Sequence, residues 1–320
     1  MIKDNISVFD FSHQYDYLRE QADYYSDCSL ISGTNAYCSD EAAEQLREEV
    51  NKALVIEKNN PKAPLDADGS WEKLETMPAG IHFIDSGNYH YMSLFFLERI
   101  PTDFTLLLID NHTDMNENAF GDILSCGNWV RKALETLPHL KKVVMLGVKP
   151  QYFQEMKESL TSEGELAENP ESENELFFIN EPANKEKQFS IKYGGNSSVV
   201  KIIYASSINE ISKGLIDTGS IYVSLDKDAL SEGYAVTDWD QGELSLDDIK
   251  HIFAELNQHH ILGIDICGDT KAGASLNHDI NSKIIPYIDM YPESWTHEIG
   301  QTEHTDASRY FTGGIHFVFF

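Results

Sequence analysis

Asp110, His112 and Asp114 occupy alternate positions in IDNHTDM (109–115), directly after the apolar run Phe104 to Leu108. Three like-facing polar groups at the mouth of a buried strand are costly unless something pairs with them. In an extended chain, residues i, i+2 and i+4 share a face, so the triplet converges if the strand conformation persists past its end. A second strand-like run, SIYVSLD, ends at Asp226, with Asp228 two residues on. A third segment, IHFIDSGNYHYMS, places His90 just after a Gly87-Asn88 turn. Taken singly, each has a plain structural explanation: a capped loop, a hydrated strand end, a structural histidine. Together they bring four carboxylates and two imidazoles to predicted strand ends.

Such a donor set exceeds what one zinc takes, since zinc favours three or four ligands, often with thiolate. Carboxylate-rich sites with some histidine suit manganese, with zinc, iron and cobalt as the other candidates. The charge balance matches two divalent cations. Two ions close together would lower the pKa of a shared water and make a bridging hydroxide nucleophile at neutral pH, which is hydrolysis chemistry.

The elements that must position these residues are legible as apolar runs of strand length: FTLLLID (104–110), KVVMLGV (142–148), ELFFIN (175–180), VVKIIYA (199–205), SIYVSLD (220–226) and ILGIDIC (261–267). Near-continuous Val/Ile/Leu runs suit parallel strands covered on both faces. Helical segments are expected over 40–54, with acids in the first turn where the helix dipole favours them, and over 128–137. A third helix is expected from Ser245, whose Asp248 three residues on resembles a capping box. Strands alternating with helices predict one α/β domain over 1–320 with a mostly parallel sheet. In such sheets ligands bind at the carboxyl ends of strands, where the opening triplet falls. The stretch 156–187 breaks the rhythm and reads as an acidic surface excursion, while FTGGIHFVFF at 311–320 reads as a final strand.

The formal charge is −29, from 53 acids against 24 bases, so nucleic acid and anionic membranes are poor partners. No apolar stretch approaches the roughly 18 residues that span a bilayer, and the N-terminus lacks the pattern of a secretory signal. Cys28, Cys38, Cys126 and Cys267 are scattered without CxxC spacing, which points to a reduced, cytoplasmic protein.

GNYH, DNHTD and SLDKD resemble the three metal-binding signatures of the ureohydrolase family (arginase, agmatinase and formimidoylglutamase), whose patterns run roughly GGDH, DAHxD and SxDxD. The resemblance covers roughly 80–270, and TDWDQGELS (237–245) is similar to the family's TPEPGGLS-like segment, with Asp238 and Asp240 replacing its prolines. It implies a three-layer α/β/α sandwich of the arginase type. It also implies two Mn2+: one held by His90, Asp110, Asp114 and Asp226, the other by Asp110, His112, Asp226 and Asp228, with Asp110 and Asp226 bridging. Trimers and hexamers are common in the family, so a homo-oligomer is an expectation. Asn116 stands where arginases place an asparagine that contacts the substrate.

The sequence departs from that pattern twice. Cys126 occupies the place of a histidine that serves proton transfer, which makes it, with Asp114, a candidate catalytic residue. Gly268 occupies the place of the glutamate that pairs with a guanidinium, leaving Asp269 and Glu243 as candidate substitutes. A guanidinium needs a carboxylate in fork geometry, so arginine and agmatine are doubtful substrates. The expectation is a dimanganese hydrolase acting on a C–N bond of a small guanidino, formimino or amide compound. A deacetylase-like amidohydrolase on the same fold and a non-catalytic metal-binding protein are the alternatives.

Overall fold

The computed structural model describes residues 6–58, 77–117, 121–162, 178–179, 190–192, 199–205, 218–256 and 259–289. In chain order, strands β1 (Ile6–Asp10), β2 (Tyr24–Asp27) and β3 (Tyr37–Cys38) precede helix α1 (Asp40–Lys58). Then come β4 (Ile81–Phe83), α2 (Met92–Leu97), β5 (Phe104–Ile109), β6 (Leu124–Ser125), α3 (Trp129–Thr136), β7 (Leu140–Leu146) and α4 (Pro150–Ser162). The rest comprises β8 (Phe178–Ile179), β9 (Ser190–Lys192), β10 (Val199–Ala205), β11 (Ser220–Asp226), α5 (Leu246–Leu256), β12 (His260–Cys267) and α6 (Ala274–Asp289).

Ten strands form one sheet in the order β2-β1-β4-β12-β11-β5-β7-β10-β8, with β9 antiparallel on β10 and every other pair parallel. A separate antiparallel ribbon joins β3 to β6. The apolar runs of the central strands are buried on both faces because helices cover both. Leu106 and Leu108 of β5 face a core shared with α1, α2, α3 and α4, while Leu107 and Ile109 face a core shared with α5 and α6. This is the three-layer α/β/α architecture that the motifs implied.

The three helices expected from the sequence are present. The capping box at α5 forms as predicted: Asp248 Oδ2 accepts from Ser245 N at 2.8 Å, and Ser245 Oγ accepts from Asp248 N at 3.2 Å. Within 156–187, α4 accounts for residues up to 162 and β8 for 178–179; the remainder of that excursion, and FTGGIHFVFF, lie outside the described residues.

The strand order is what positions chemistry. After β5 the chain builds outward through β7 and β10, then returns to insert β11 between β5 and β12. Leu225 pairs with Ile109, and Asp226 pairs with Cys267, so the carboxyl ends of β5, β11 and β12 lie side by side. Ligands bind at such a switch in strand order.

Candidate metal centre

The six expected donors meet above these strand ends. Asp110 follows the last residue of β5, and its amide donates to Leu146 O at 3.1 Å, holding it at the sheet's rim. The chain does not stay extended beyond it. Asp114 has φ +50°, in the left-handed region that aspartate tolerates better than most residues. A turn, rather than the continued strand expected from the alternation, brings the triplet together. Asp226 closes β11, and Asp228 sits in the single helical turn after it, its amide donating to Asp226 Oδ1 at 2.9 Å. His90 follows the turn Gly87–Tyr89, which needs glycine because a Cβ at Gly87 would lie 2.9 Å from Asp226 Oδ2.

His90 Nδ1 lies 3.0 Å from Asp114 Oδ2, 3.3 Å from Asp110 Oδ2 and 3.6 Å from Asp226 Oδ2. His112 Nδ1 lies 2.9 Å from Asp228 Oδ2 and 3.5 Å from Asp110 Oδ1. Each imidazole is aimed by a partner on its other nitrogen. His90 Nε2 meets Ser224 Oγ at 2.8 Å, and that hydroxyl donates to Asp265 Oδ1 at 2.7 Å. His112 Nε2 meets Asp240 Oδ1 at 2.9 Å, and Asp240 Oδ2 also accepts from Lys149 Nζ and Tyr152 OH, each at 2.8 Å. These contacts turn Nε2 outward and both Nδ1 atoms inward, so that a cation in the cluster would meet Nδ1 of each ring. Trp129 is buried, and its Nε1 donates to Asp114 Oδ2 at 2.6 Å.

Asp110, Asp114, Asp226 and Asp228 are all buried, and two imidazoles cannot neutralise four carboxylates. Burial, then the Asp110 carboxylate, pushes Asp114 up to about 6; the same two causes raise Asp226. Burial followed by Asp226 and Asp110 raises Asp228 strongly. Burial acts on Asp110 in the same sense, but hydrogen bonds from His112 and His90 outweigh it and hold that carboxyl well below its usual range. Burial opposes protonation of His112, yet its bonds to Asp110 and Asp228 raise it strongly. A cluster in which three of four carboxylates resist ionisation is one that lacks positive charge. Two overlapping donor groups, His90/Asp110/Asp114 and Asp110/His112/Asp228, have ligand atoms within 4.8 Å of one another, so the residues present fit divalent cations.

The donors form the floor of a cavity of about 500 Å³, a size suited to a small molecule. Its walls include Tyr37, Asn116, Cys126, Tyr152, Glu155 and Trp239. Asn116 and Cys126 both line the pocket. The Cys126 thiol is pushed up to about 12 by burial and then by Asp114, so it is a thiol and not a thiolate at neutral pH. Glu243 and Asp269 are not brought to the pocket. Glu243 is exposed outside its lining, whereas Asp269 is buried in an ion pair with Lys227 Nζ at 2.5 Å and accepts from Tyr15 OH. Gly268 closes the route for any carboxylate at its own position. Its φ is +90°, and a Cβ there would stand 2.5 Å from Asp226 Oδ1 and 2.9 Å from Lys227 N.

Ser224, Asp240 and the indole of Trp129 are the site residues that sequence reasoning missed. Ser224 interrupts an apolar run, and a lone hydroxyl there is unremarkable. Asp240 was visible only as a departure from a proline-containing segment.

No family model matches the chain. A Thermotoga maritima protein of uncharacterized function is 27% identical over 190 residues, which span 59% of this chain and only 58% of that relative. Among solved structures, Entamoeba histolytica arginase in complex with L-ornithine superposes with TM-score 0.53 at 13% identity, over 90% of this chain and 98% of that one. Bacillus caldovelox arginase gives TM-score 0.50 at 12% identity over 93% and 100%. The fold is arginase-like, and the expectation raised by the three motifs is met at that level.

Proposed function

We propose that the protein is a ureohydrolase-like metallohydrolase that cleaves a C–N bond in a small nitrogenous compound, using two divalent ions, manganese first among them. The observation that carries this reading is the convergence of His90, His112 and four buried aspartates with both Nδ1 atoms turned inward. The arginase-like fold supports it. When bound, a divalent pair supplies Lewis acidity and lowers the pKa of water in the site. The chain's own residues do the rest. Asp110 belongs to both donor groups, and Asp226, beside His90, would share the ions with it. Ser224 and Asp240 fix the imidazoles, and the indole N–H of Trp129 fixes Asp114. Asn116, Tyr152 and Trp239 are placed to orient a substrate from the walls.

The substrate reading narrows at Gly268. The guanidinium-pairing carboxylate has no room there, and neither Asp269 nor Glu243 replaces it. A formimino or amide nitrogen needs no carboxylate fork, so these classes are favoured over guanidino compounds. The four cysteines are free thiols, which supports a reducing, cytoplasmic setting, and no helix among the described residues is long and apolar enough to cross a membrane.

Elemental analysis of the wild type and of Asp226→Ala, both loaded with manganese, tests the centre. About two manganese per chain, falling below one in the variant, is the expected result. A screen of formimino, amide and guanidino compounds for released ammonia or amine then tests the chemistry. One tightly held zinc in both proteins would sink the binuclear reading. Two bound ions with no turnover of any compound would favour a non-catalytic metal-binding protein.

A further inference from the structure

Cys267 is the last residue of β12 and the register partner of Asp226 across the β11–β12 ladder. That pairing holds its thiol against the site. Sγ lies 3.2 Å from Asp226 Oδ2, and both residues are buried. The thiol, Asp226 and a nitrogen of His90 form a third donor group, with ligand atoms within 4.8 Å of one another. The other three cysteines differ. Cys28 donates to Ser26 Oγ at 3.4 Å and Cys38 to Ser39 O at 3.6 Å, both within their own local segments, and Cys126 lines the cavity without joining any of these groups.

We propose that Cys267 is a seventh donor of the centre. Its sulfur would join the ion held by His90, Asp114 and Asp226, while the half built from Asp110, His112 and Asp228 keeps only oxygen and nitrogen. The inference rests on the binuclear reading above. Coordination replaces the S–H bond with a metal–sulfur bond, and the proton leaves to solvent. Sulfur is a soft ligand that selects zinc, cobalt or iron over manganese, whereas carboxylate and imidazole accept manganese. The two halves of the centre would therefore differ in metal preference, with the softer ion on the His90 side. The chain's geometry makes the sulfur hard to move aside. A Cβ at Gly268 would already strike Asp226 Oδ1 at 2.5 Å, so the backbone carrying Cys267 is pressed close to the Asp226 carboxylate.

Cobalt(II) reports this directly, because a sulfur ligand adds an intense near-ultraviolet charge-transfer band to the weak visible bands of bound cobalt. The metal-free full-length protein, Cys126→Ser, Cys267→Ser and Cys267→Ala are titrated with cobalt(II), and circular dichroism confirms that each is folded. The charge-transfer band is expected in the wild type and in Cys126→Ser, and lost in both Cys267 variants, which still bind cobalt. Cobalt bound to the wild type without the band overturns the inference, as does a band that survives in Cys267→Ser. Should the Cys267 variants fail to fold, the wild-type spectrum alone still decides, since absence of the band overturns it. No binding of cobalt, zinc or manganese by the wild type would instead overturn the binuclear reading, and the seventh donor with it.

Discussion

Two groups of buried charge meet within three consecutive residues, and they are built on opposite plans. Asp226 and Asp228 face the cavity, among carboxylates that repel one another. Lys227, between them, is fully buried and runs the other way, reaching Asp269 Oδ1 at 2.5 Å and Asn281 Oδ1 of α6 at 2.9 Å. Asp269 Oδ2 in turn accepts from Tyr15 OH and from Asn281 Nδ2 at 3.3 Å. The lysine side is electrically complete: one cation, one anion, and hydrogen bonds on both. The aspartate side is short of cations. The difference teaches how to tell a structural ion pair from a binding site when both are buried. The first closes on itself, and the second closes only with something added.

Breaking the closed side should have the largest effect. Lys227→Met leaves Asp269 buried without its cation, and a loss of about 3–5 kcal/mol in urea-unfolding stability is expected. A loss below about 1 kcal/mol would show that the pair behaves like an exposed one and that the contrast is false.

The open side should respond to pH in the metal-free protein. Asp114, raised to about 6 by burial and then by Asp110, favours its protonated form in the fold. Its contribution is therefore fully present below the ordinary carboxylate pKa and is lost as pH rises through about 6. Chelator-treated wild type should lose on the order of 3 kcal/mol relative to Asp114→Asn between about pH 4 and 6, measured as unfolding midpoints at several pH values. An unchanging difference across that range would mean that the cluster is not short of positive charge.

The smallest effect tests how the open side is aimed. Asp240 is half-exposed and contacts His112 from outside the donor cluster. Asp240→Asn should weaken manganese binding by about 10- to 100-fold in calorimetric titration. Stability of the metal-free protein should fall by no more than about 1 kcal/mol, the scale of the exposed ion pair with Lys149 that is lost with it. Unchanged affinity would remove Asp240 from the site.

The donors were legible in the sequence because each stands where an apolar run stops, and polar groups at such points need a reason. The central strands were legible for the same cause: they are covered on both faces and so are continuously apolar. β1 and β2 were not read, since ISVFD is short and YYSD is mostly polar. α6 escaped because SLNHDINSKIIPYID carries asparagines and Pro286 within its span. That Asp269 and Glu243 lie outside the pocket lining has a reason that residue spacing does not carry. The positive φ at Gly268 turns the chain, and Asp269 is claimed by a lysine whose inward direction only the fold reveals. Cys267 looked like one more small apolar residue of a strand, and its meaning came from register with Asp226.

The place of β11 also bears on how the molecule is made. Its neighbours in the sheet are β5, made well before it, and β12, made after it, so β5 gains its inner partner only after the chain has built β7 and β10. Until then Asp110 and Asp114 face water, with no Asp226 or Asp228 opposite them. Such long-range pairing is slow to form, because loop closure must come before the contacts that reward it. The donor cluster is thus among the last parts to assemble, and a newly made chain passes through a stage in which the inner edge of β5 lies unpaired. Chains halted at that stage would pair those edges with one another, so aggregation during refolding should be more sensitive to changes in β11 than to changes of equal thermodynamic cost in β7.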